Sequence, residues 1–540
     1  MRRWNGWGKE GITYPLPPHA LETLDRHLGK VNPSSDASLE AALNAIPTSR
    51  ARGHPLVTTE PIERLRHARG QSLPDWIALR SGRVASFPDG IAYPTSDEEI
   101  RSLIGYAKEN QLILIPYGGG TSVLGHINAP GDGIPSLILD MSRLNHGLAI
   151  DSISHLGTFE AGVCGPDLER FLSLQGFTLG HFPQSFEYST LGGWIATRSC
   201  GQQSHYYGRI EDNFIGGHIE TPIGPLDFPP FPASAAGPDL KQLFLGSEGR
   251  CGILTRAVMR IRPLPEVESF FGLFFPDWES GVEAVKSLAQ ADVSTSMLRL
   301  SDSQETEITM TFAGKASLTN VANRGLSLLG IRDQRCLLIL GITGDRARAI
   351  SSRKLALRIC RNHGGIFTGS IIGRIWKKTR FTTPYLRNTL WDHGYALDTL
   401  ETAVPWVNLR KMHSRVNAAI TQACEDAGTR VLVFAHVSHV YHTGASLYFT
   451  YLYGRSPDPD QTLERWNRMK QAACEAILDS GGTISHQHGI GRDHAPYLER
   501  EKGPLGMKIL DCVSGFCDPD AIMNPDVLIS KRRQAFLEES

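Results

Sequence analysis

The chain contains 540 residues, which at roughly 150 residues per domain gives three or four domain-sized units or two large domains and excludes a single small binding module. Its hydrophobic (41%) and charged (21%) fractions resemble those of soluble globular proteins, which excludes wholesale disorder. Lys and Arg (55) balance Asp and Glu (56), so no nucleic-acid partner is predicted. Glycine (54) and proline (32) are unusually frequent. Either the chain has many tight turns, or its backbone approaches something bulky.

The cysteines and the termini indicate the compartment. Nine scattered cysteines without a C-x-x-C pair favour reduced thiols in a cytosolic protein. The opening M-R-R-W-N-G-W-G-K-E-G lacks the apolar stretch of a signal peptide. The longest apolar runs, 336–342 and 431–435, are far shorter than the ~18 residues that cross a bilayer. No amphipathic helix with a basic face stands out, so any membrane contact is expected to be peripheral.

The first half of the chain predicts a lead segment followed by an α+β domain. Residues 1–85 are rich in Pro, Gly and His, with short helical stretches at 21–28 and 38–45. The region 86–265 opens with a strand, a helix with a capping box, and a fully apolar strand. The elements predicted there are strands 91–93, 112–115, 137–140, 158–163, 218–221 and 253–261, a helix starting after Ser96, and a helix at 167–174.

The second half predicts another α+β domain, at 266–480, after a Pro-Leu-Pro linker at 263–265. A segment at 481–540 follows, with a polar, histidine-bearing turn and a helix. His436 and His439 are predicted to lie in a turn before strand 447–452. The elements predicted between 266 and 480 are strands 270–275, 297–300, 336–342 and 447–452, and helices near 279–290, 345–362, 406–427 and 460–478.

Three glycine-rich turns in the first domain are candidates for ligand binding. The first, P-Y-G-G-G-T-S at 116–122, follows a buried strand, and its glycines allow the backbone to approach a bulky anion. It matches neither a Walker loop nor G-x-G-x-x-G, and such a turn alone is most often only a turn. Small and hydroxyl residues fill 184–201, and a third glycine-rich turn lies at 245–254. Because three such turns occur in one domain, we expect them to converge on one extended ligand.

These turns also carry a family resemblance. Together with R-I-R-P-L-P-E, the late H-G-I-G and D-P-D-A-I-M-N-P, they resemble FAD-binding flavoproteins of the vanillyl-alcohol-oxidase type. Five further motifs resemble the alkyldihydroxyacetonephosphate synthase family within that group. They are W-N-G-W-G, F-E-Y-S-T-L-G-G-W, Y-G-R-I-E-D, E-T-A-V-P-W and G-A-S-L-Y-F. The resemblance spans almost the whole chain. It implies an α+β fold: a PCMH-type FAD-binding domain of two subdomains, an α+β substrate or cap domain, and a C-terminal segment that returns to the flavin.

The resemblance also implies how the cofactor is bound. No residue resembles a covalent flavin attachment, so FAD is expected to bind noncovalently. The cofactor-binding residues implied are Pro116, Tyr117, Gly118, Gly119, Gly120, Thr121, Ser122, Gln184, Ser185, Phe186, Glu187, Tyr188, Ser189, Thr190, Thr197, Arg198, Ser199, Cys200, Glu248, Gly249, Arg250, Cys251, Gly252, Ile253 and Leu254.

Tyr448 matches the catalytic tyrosine of the family, although a lone strand tyrosine is usually a packing residue. A phenol with a pKa near 10 is a poor base unless a neighbour takes or screens its proton, so a histidine is expected beside it. His486 and His488 are the catalytic candidates. Similar enzymes often have three consecutive histidines here, whereas this chain has Gln487, which cannot titrate.

Two arginines and two further histidines complete the candidate site. Arg387 matches the arginine that binds the substrate phosphate, and its planar fork suits that anion. Arg299, flanked by apolar residues, either faces solvent or is buried with an anionic partner, and it matches a second arginine important in the family. His436 and His439 could form an H-x-x-H metal pair, but without a nearby carboxylate a flavin-side lining or plain turn polarity is favoured, and no metal is predicted.

The resemblance implies a transferase that replaces the acyl chain of acyl-dihydroxyacetone phosphate with a fatty alcohol, in ether-lipid synthesis without net redox change. A homodimer is implied as well. Two alternatives stay open: an FAD-dependent oxidoreductase of a D-2-hydroxy acid or another small alcohol, and a catalytically silent flavin-binding scaffold. Eukaryotic members carry a peroxisomal presequence, whereas this chain begins close to W-N-G-W-G, so a bacterial cytoplasmic setting is expected.

Overall fold

The computed structural model describes residues 1–31, 34–131, 133–313, 326–327 and 331–529. The described helices are α1 (Pro18–Leu28), α2 (Leu39–Asn44), α3 (Pro61–Arg66), α4 (Leu73–Ser81), α5 (Asp97–Asn110), α6 (Gly165–Ser173), α7 (Leu191–Ala196), α8 (Ser204–Tyr207), α9 (Ile210–Asn213), α10 (Lys241–Phe244), α11 (Trp278–Gln290), α12 (Ser303–Ala313), α13 (Arg346–Asn362), α14 (Ile371–Thr379), α15 (Thr383–Asp392), α16 (Trp406–Glu425), α17 (Pro459–Asp479) and α18 (Leu498–Cys517).

The described strands form three larger sheets and one strand pair. They are β1 (Val57–Thr58), β2 (Gly90–Ala92), β3 (Ile113–Tyr117), β4 (Ser136–Asp140), β5 (Gly147–Asp151), β6 (Leu156–Glu160), β7 (Phe177–Thr178), β8 (Phe214–Thr221), β9 (Gly224–Phe228), β10 (Ile253–Arg260), β11 (Arg262–Pro263), β12 (Val267–Phe275), β13 (Met297–Ser301), β14 (Cys336–Gly344), β15 (Ile366–Phe367), β16 (Tyr395–Pro405), β17 (Val431–Val440) and β18 (Gly444–Gly454).

The first sheet has the order β1-β2-β4-β3, with β2 and β3 parallel to β4. The predicted strand, helix and strand are confirmed as β2, α5 and β3. Helix α5 begins where the Ser96 hydroxyl accepts a hydrogen bond from the Glu99 amide, and Ile100, Leu103 and Ile104 bury one face against the sheet. The first glycine-rich turn therefore leaves the carboxyl end of a buried parallel strand, where α/β sheets commonly bind ligands.

The second sheet is antiparallel, with the order β5-β6-β10-β8-β9. Strand β10 alternates buried and half-buried residues, as expected for a strand with one face on the core. The predicted linker at 263–265 is partly wrong, because Arg262 and Pro263 pair with Thr178 and Phe177 as a short two-stranded sheet. The exit from this region is thus paired with β7 rather than free.

The third sheet contains seven antiparallel strands in the order β15-β12-β14-β13-β17-β18-β16. Strand β14 is buried along its whole length because both faces are covered. Leu338 and Leu340 pack in the main core with α11, α13, α16 and α17, whereas Leu337 and Ile339 face a cavity on the other side. This double burial explains the unbroken apolar run at 336–342.

The placement of His436 and His439 in a turn is wrong. Both residues lie in β17, which pairs with β18 over most of its length and carries a register shift between Val437 and Val440. Alternating small, polar and apolar residues concealed this strand in the sequence, because one of its faces borders a polar site.

The end of the described chain returns to the first sheet. The Leu114 amide donates to the Ile522 carbonyl, and the Asn524 amide donates to the Leu114 carbonyl. Among the described helices, none has both the length and the apolar character needed to span a bilayer. All nine cysteines are free thiols, as predicted.

Candidate active site

One cavity of about 1460 Å³ extends from the glycine-rich turns to the inner face of the seven-stranded sheet. That volume exceeds the 300–1,000 Å³ typical of pockets for a single small molecule, so the cavity has room for more than one ligand group. The first turn lines it completely, from Pro116 to Ser122. The other implied cofactor residues that line it are Gln184, Ser185, Ser189, Thr190, Thr197, Ser199, Cys200, Glu248, Gly249, Gly252, Ile253 and Leu254.

Six implied cofactor residues do not line the cavity. Phe186 is buried and stacks on Phe381, and Glu187 is exposed. Arg198 donates to the Leu245 carbonyl, and Arg250 donates to the Met523 carbonyl. Tyr188 and Cys251 likewise contact protein: the Tyr188 hydroxyl bonds that of Tyr385, and Cys251 lies beside Ser514. Five of these six side chains therefore contact other protein groups rather than the cavity, and Glu187 faces outward.

The backbone of the first turn is suited to a phosphate-bearing ligand. Within the part of the chain that the structure describes, the amides of Gly119, Gly120 and Thr121 donate no hydrogen bond to protein. A Cβ atom at Gly119 would lie 1.7 Å from the Tyr188 carbonyl oxygen, so only glycine permits this approach of the two turns. Free amides at the edge of a large cavity form the kind of concavity that binds a pyrophosphate. The residues present therefore fit FAD.

The third turn contains a strained acid that fixes the C-terminal segment. Glu248 has a φ of 54°, in the left-handed region that disfavours residues other than glycine. Its carboxylate accepts hydrogen bonds from the amides of Ile490 (2.5 Å) and Gly491 (2.8 Å), and it lies 3.2 Å from His126 Nε2. The side-chain amide of Asn524 donates a hydrogen bond through Nδ2 to the Glu248 backbone carbonyl. Sequence reasoning missed His126 and Asn524, because the contacts that join them to Glu248 span more than a hundred residues.

Tyr448 lies on β18 between two polar cross-strand neighbours, Glu401 on β16 and His436 on β17. Its hydroxyl donates to Thr399 Oγ1 over 3.0 Å. The His436 ring stacks on its ring at 5.1 Å and 17°, and the His488 ring meets it edge-on at 5.6 Å and 79°. Burial raises the pKa of Tyr448 to about 12, so the phenol stays protonated at neutral pH.

The two candidate histidines occupy different places. His488 lines the cavity beside Tyr448, and burial lowers its pKa, which leaves a neutral imidazole able to accept a proton. His486 does not line the cavity. Its Nε2 atom lies 2.7 Å from Arg209 Nη1 and 2.6 Å from the Tyr441 hydroxyl. The structure therefore gives Tyr448 the histidine neighbours His488 and His436, and it places His486 behind the wall.

Glu401 organises the turn that carries these histidines. Its buried carboxylate accepts hydrogen bonds from the amides of His486 (2.6 Å), Gln487 (3.0 Å) and His488 (2.9 Å), and from the Ser485 hydroxyl (2.9 Å). An anion bound by successive backbone amides is a strong, charge-assisted arrangement. The sequence signal is the acid of E-T-A-V-P-W, a motif that resembles the family but does not by itself indicate a role for this residue.

The two predicted substrate arginines differ in their charge balance. Arg299 is half-buried and is held by Glu305 at 2.7 Å, so it has the anionic partner of the second alternative without being fully buried. Arg387 also lines the cavity and lies 4.6 Å from the centre of the Trp76 ring. Its Nη1 donates to the Gln71 carbonyl, but its Nε and Nη2 are buried without a partner among the described residues. Arg387 thus has two unused donors, whereas Arg299 is already neutralised.

One group of possible metal ligands borders this site. Ligand atoms of Cys200, His439 and His486 lie within 4.8 Å of one another. The Arg209 guanidinium already bonds His486 Nε2, and His439 Nε2 contacts the Gly201 carbonyl at 3.1 Å. A fixed cation beside two engaged imidazoles opposes the binding of a metal ion.

Comparison with known proteins agrees with this geometry. An FAD binding domain model matches residues 88–226, and the C-terminal domain of FAD linked oxidases matches residues 264–528. The alkyldihydroxyacetonephosphate synthase of Dictyostelium discoideum is 33% identical over 87% of this chain and 78% of its own length.

The chain belongs to the alkyldihydroxyacetonephosphate synthase family.

A solved structure of a family member superposes with a TM-score of 0.83 at 28% identity, covering 97% of this chain and 98% of that one. The mitochondrial D-lactate dehydrogenase (cytochrome) of Arabidopsis thaliana is more distant, at 25% identity over 88% of this chain and 78% of its own length. The predicted fold, an FAD-binding domain with a cap domain, is confirmed, and FAD is the cofactor.

Proposed function

We propose that this chain is a flavin-dependent transferase that exchanges the acyl chain of acyl-dihydroxyacetone phosphate for a fatty alcohol, forming an ether lipid. One observation carries the proposal: the wall of the cavity includes a large apolar part, here called the apolar arm, which suits chain-bearing substrates. A site for small hydroxy acids has no use for that arm. It is lined by Ile308, Phe312, Leu326, Leu337, Ile339, Ile372, Trp376, Leu390, Leu397, Leu432, Phe434 and Leu452.

The polar end of the cavity fits the dihydroxyacetone phosphate group. Arg387 would hold the phosphate with its two unpaired nitrogen donors. Arg299 would keep the wall neutral through Glu305 and orient His436, whose Nδ1 lies 2.9 Å from that carboxylate. The chain would extend from this point into the apolar arm, because the hydrophobic effect favours burial of its methylene groups.

The proton steps of the exchange require a donor and an acceptor near the reacting carbon. When bound, FAD supplies the reactive flavin ring for an exchange without net redox change. The alcohol must lose its hydroxyl proton, and the acyl group leaves as a carboxylate. His488, kept neutral by burial, would accept the proton, and the protonated Tyr448 hydroxyl would relay it. Cofactor contacts are proposed for the implied residues that line the cavity, and indirect support of the turns is proposed for those that do not.

The alternative, an oxidoreductase of a D-2-hydroxy acid, shares the fold but has weaker support. An arginine such as Arg387 could hold a carboxylate as well as a phosphate. The apolar arm and the higher identity to the synthase from Dictyostelium favour the transferase.

Peripheral membrane contact and a homodimer are further parts of the proposal, in a bacterial cytoplasmic setting. Helix α14 supports membrane contact, because its exposed Ile371 and Ile375 also line the cavity. One face of α18 carries four exposed, mostly apolar residues spaced by three or four positions, as expected for neighbours on a helix surface. They are Leu505, Ile509, Cys512 and Phe516. This apolar stripe suits a contact with a second copy. Sedimentation of the wild type and of Ile509→Asp would test it, and a dimer unaffected by the substitution contradicts that surface.

The test of function follows a labelled fatty alcohol. Holoenzyme, acyl-dihydroxyacetone phosphate and radiolabelled alcohol should yield labelled alkyl-dihydroxyacetone phosphate. A lasting loss of visible flavin absorbance with a D-2-hydroxy acid, followed by electron transfer to an acceptor dye, contradicts the transferase. Tyr448→Phe should keep FAD and lose about 100-fold or more in turnover. Tyr453→Phe on the same strand, which loses only a bond to the Thr462 carbonyl, is the control.

A further inference from the structure

The N-terminal segment inserts a tryptophan into the wall of the cavity. Residues 1–10 close on themselves through a bridge between Arg2 and Lys9 and a hydrogen bond from the Arg3 amide to the Gly8 carbonyl. Trp7, within this loop, is 94% buried, since its exposed fraction is 6%, and it lines the cavity. Its indole N–H is buried and has no hydrogen-bond partner among the described residues.

Helix α15, which carries Arg387, holds this tryptophan in place. The Trp7 amide donates to Asn388 Oδ1 over 3.1 Å, and Asn388 Nδ2 donates to the Trp7 carbonyl over 3.0 Å. Asn388 is itself only 2% exposed. A side-chain amide that engages both backbone groups of one residue fixes its position with little freedom. Trp7 and the residue next to Asn388, Arg387, therefore belong to one rigid unit.

Two glycines show how closely the loop is seated. A Cβ atom at Gly8 would lie 2.2 Å from the Tyr385 ring, and one at Gly6 would lie 2.5 Å from Asn388 Oδ1. Gly8 also has a φ of 83°, which disfavours other residues. On the opposite side, the Arg2 guanidinium donates to the Gly119 carbonyl of the first glycine-rich turn. The loop thus joins the FAD-binding domain to α15 at the cavity wall.

The buried indole N–H of Trp7 has no hydrogen-bond acceptor among the described residues. A ligand bound in the adjoining cavity can supply one. Leaving a buried donor without a partner is unfavourable, so such groups in native proteins are usually satisfied by a ligand or water. Arg387 precedes Asn388 on the same unit and also lines the cavity, and its Nε and Nη2 are likewise unpaired among the described residues. Three unpaired donors on one rigid unit favour a ligand rich in acceptor oxygens, and a phosphate ester has that chemistry.

We propose that the Trp7 indole N–H donates a hydrogen bond to a phosphate ester bound in the cavity, and that Trp7 and Arg387 together form its binding subsite. The assignment to the substrate phosphate rests on the proposed function. The pyrophosphate of FAD has the same acceptor oxygens and is the other possible source. The W-N-G-W-G segment is then part of the binding site, and its two tryptophans have separate tasks: Trp4 packs beside the small core around Leu65, whereas Trp7 binds the ligand.

A spectroscopic experiment tests the contact without relying on turnover. In holoenzyme labelled with ¹⁵N-tryptophan, the Trp7 indole resonance, identified by its loss in Trp7→Phe, should shift when dihydroxyacetone phosphate is added. Dihydroxyacetone, which lacks the phosphate, should leave it unchanged. This shift is expected whether or not the chain forms ether lipids, so the inference and the proposed function can fail separately.

The variant Trp7→Phe keeps most of the packing and removes the donor. If the phosphate belongs to the substrate, KM should rise about tenfold, equivalent to about 1.4 kcal/mol, with kcat nearly unchanged and FAD retained on gel filtration. If it belongs to FAD, the variant should lose FAD more readily, with an unchanged KM once reloaded. Trp4→Phe is the matched control and should alter neither value. No resonance shift, together with unchanged KM and unchanged FAD retention in Trp7→Phe, would overturn the proposal.

Discussion

At the scale of single residues, the carboxylate of Glu401 holds the turn at 485–488 in place. It accepts hydrogen bonds from three backbone amides of the turn that carries His488. Glu401→Gln keeps the shape but removes the charge and forces an amide N–H₂ group toward amide donors. We expect kcat to fall at least tenfold, with KM changed little, because each charge-assisted hydrogen bond contributes about 1.5–3 kcal/mol. Steady-state kinetics measures this.

The matched control for that variant is Glu425→Gln, an exposed glutamate at the end of α16. It should leave both kinetic constants unchanged. If Glu401→Gln has wild-type kcat and an unchanged thermal midpoint, the turn does not depend on this carboxylate.

The ion pair of Arg299 and Glu305 predicts how stability depends on pH. Burial opposes ionisation of Glu305, but Arg299 and His436 outweigh it and lower its pKa from 4.5 to about 2. Because the folded pKa is lower than the unfolded one, this group stabilises the fold above about pH 4.5, and that stabilisation is lost as the pH falls toward 2. The difference in thermal midpoint between the wild type and Glu305→Gln should therefore be largest near neutral pH and shrink below pH 4.5. Glu307→Gln, exposed on the same helix, should show no such trend, and a constant difference for Glu305→Gln contradicts the pair.

At the scale of elements, helix α14 corrects the expectation that no amphipathic helix with a basic face exists. Ile371 and Ile375 are both exposed and line the cavity, so they mark its mouth. Arg374 and Lys378 are exposed on the same side of the helix. Gly373 allows close packing, since a Cβ atom there would lie 2.1 Å from the Phe270 carbonyl oxygen. An apolar ridge with cations at a cavity mouth suits the surface of an anionic membrane.

We predict that Ile375→Asp weakens binding to anionic lipid vesicles several-fold, because it removes apolar burial and adds a repelled charge. Co-sedimentation with vesicles measures the bound fraction, and added salt should weaken wild-type binding. Ile350→Asp, at a residue of α13 that is more exposed than Ile375, is the control and should bind as the wild type does. Equal binding by all three proteins would exclude α14 as the membrane contact.

Two of the strands that the sequence failed to predict lie beside the site. Strands β2, β3 and β14 follow simple apolar patterns and were predicted within a few residues. Strand β16 was missed because Asp398, Thr399 and Glu401 interrupt its apolar pattern and point toward buried partners. Strand β17 was obscured in the same way by His436 and His439. Buried polar groups at functional sites break the patterns from which strands are predicted.

At the scale of the whole molecule, the sequence predicted the glycine-rich turns but not their distant partners. Trp7 meets Asn388 across 381 residues, and Arg250 reaches the Met523 carbonyl across 273. No local pattern encodes such pairs, since they follow from the packing of three sheets. We also propose the division into 1–85, 86–265, 266–480 and 481–540. The seven-stranded sheet supports this division, because all of its strands lie between Val267–Phe275 and Gly444–Gly454. The first and last segments are nevertheless joined to the first sheet, by β1 and by the bridge between Leu114 and Met523.

The central proposal is an exchange of chains in one cavity without net redox change. Its most direct test is an anaerobic reaction of the holoenzyme with acyl-dihydroxyacetone phosphate and a labelled fatty alcohol. Three quantities are measured together: the fatty acid released, the labelled ether product and the visible absorbance of the flavin. We predict equal amounts of fatty acid and ether product over many turnovers, with the flavin absorbance restored when substrate is exhausted. Fatty acid release without labelled ether, or flavin that stays reduced in proportion to product, would contradict the proposal.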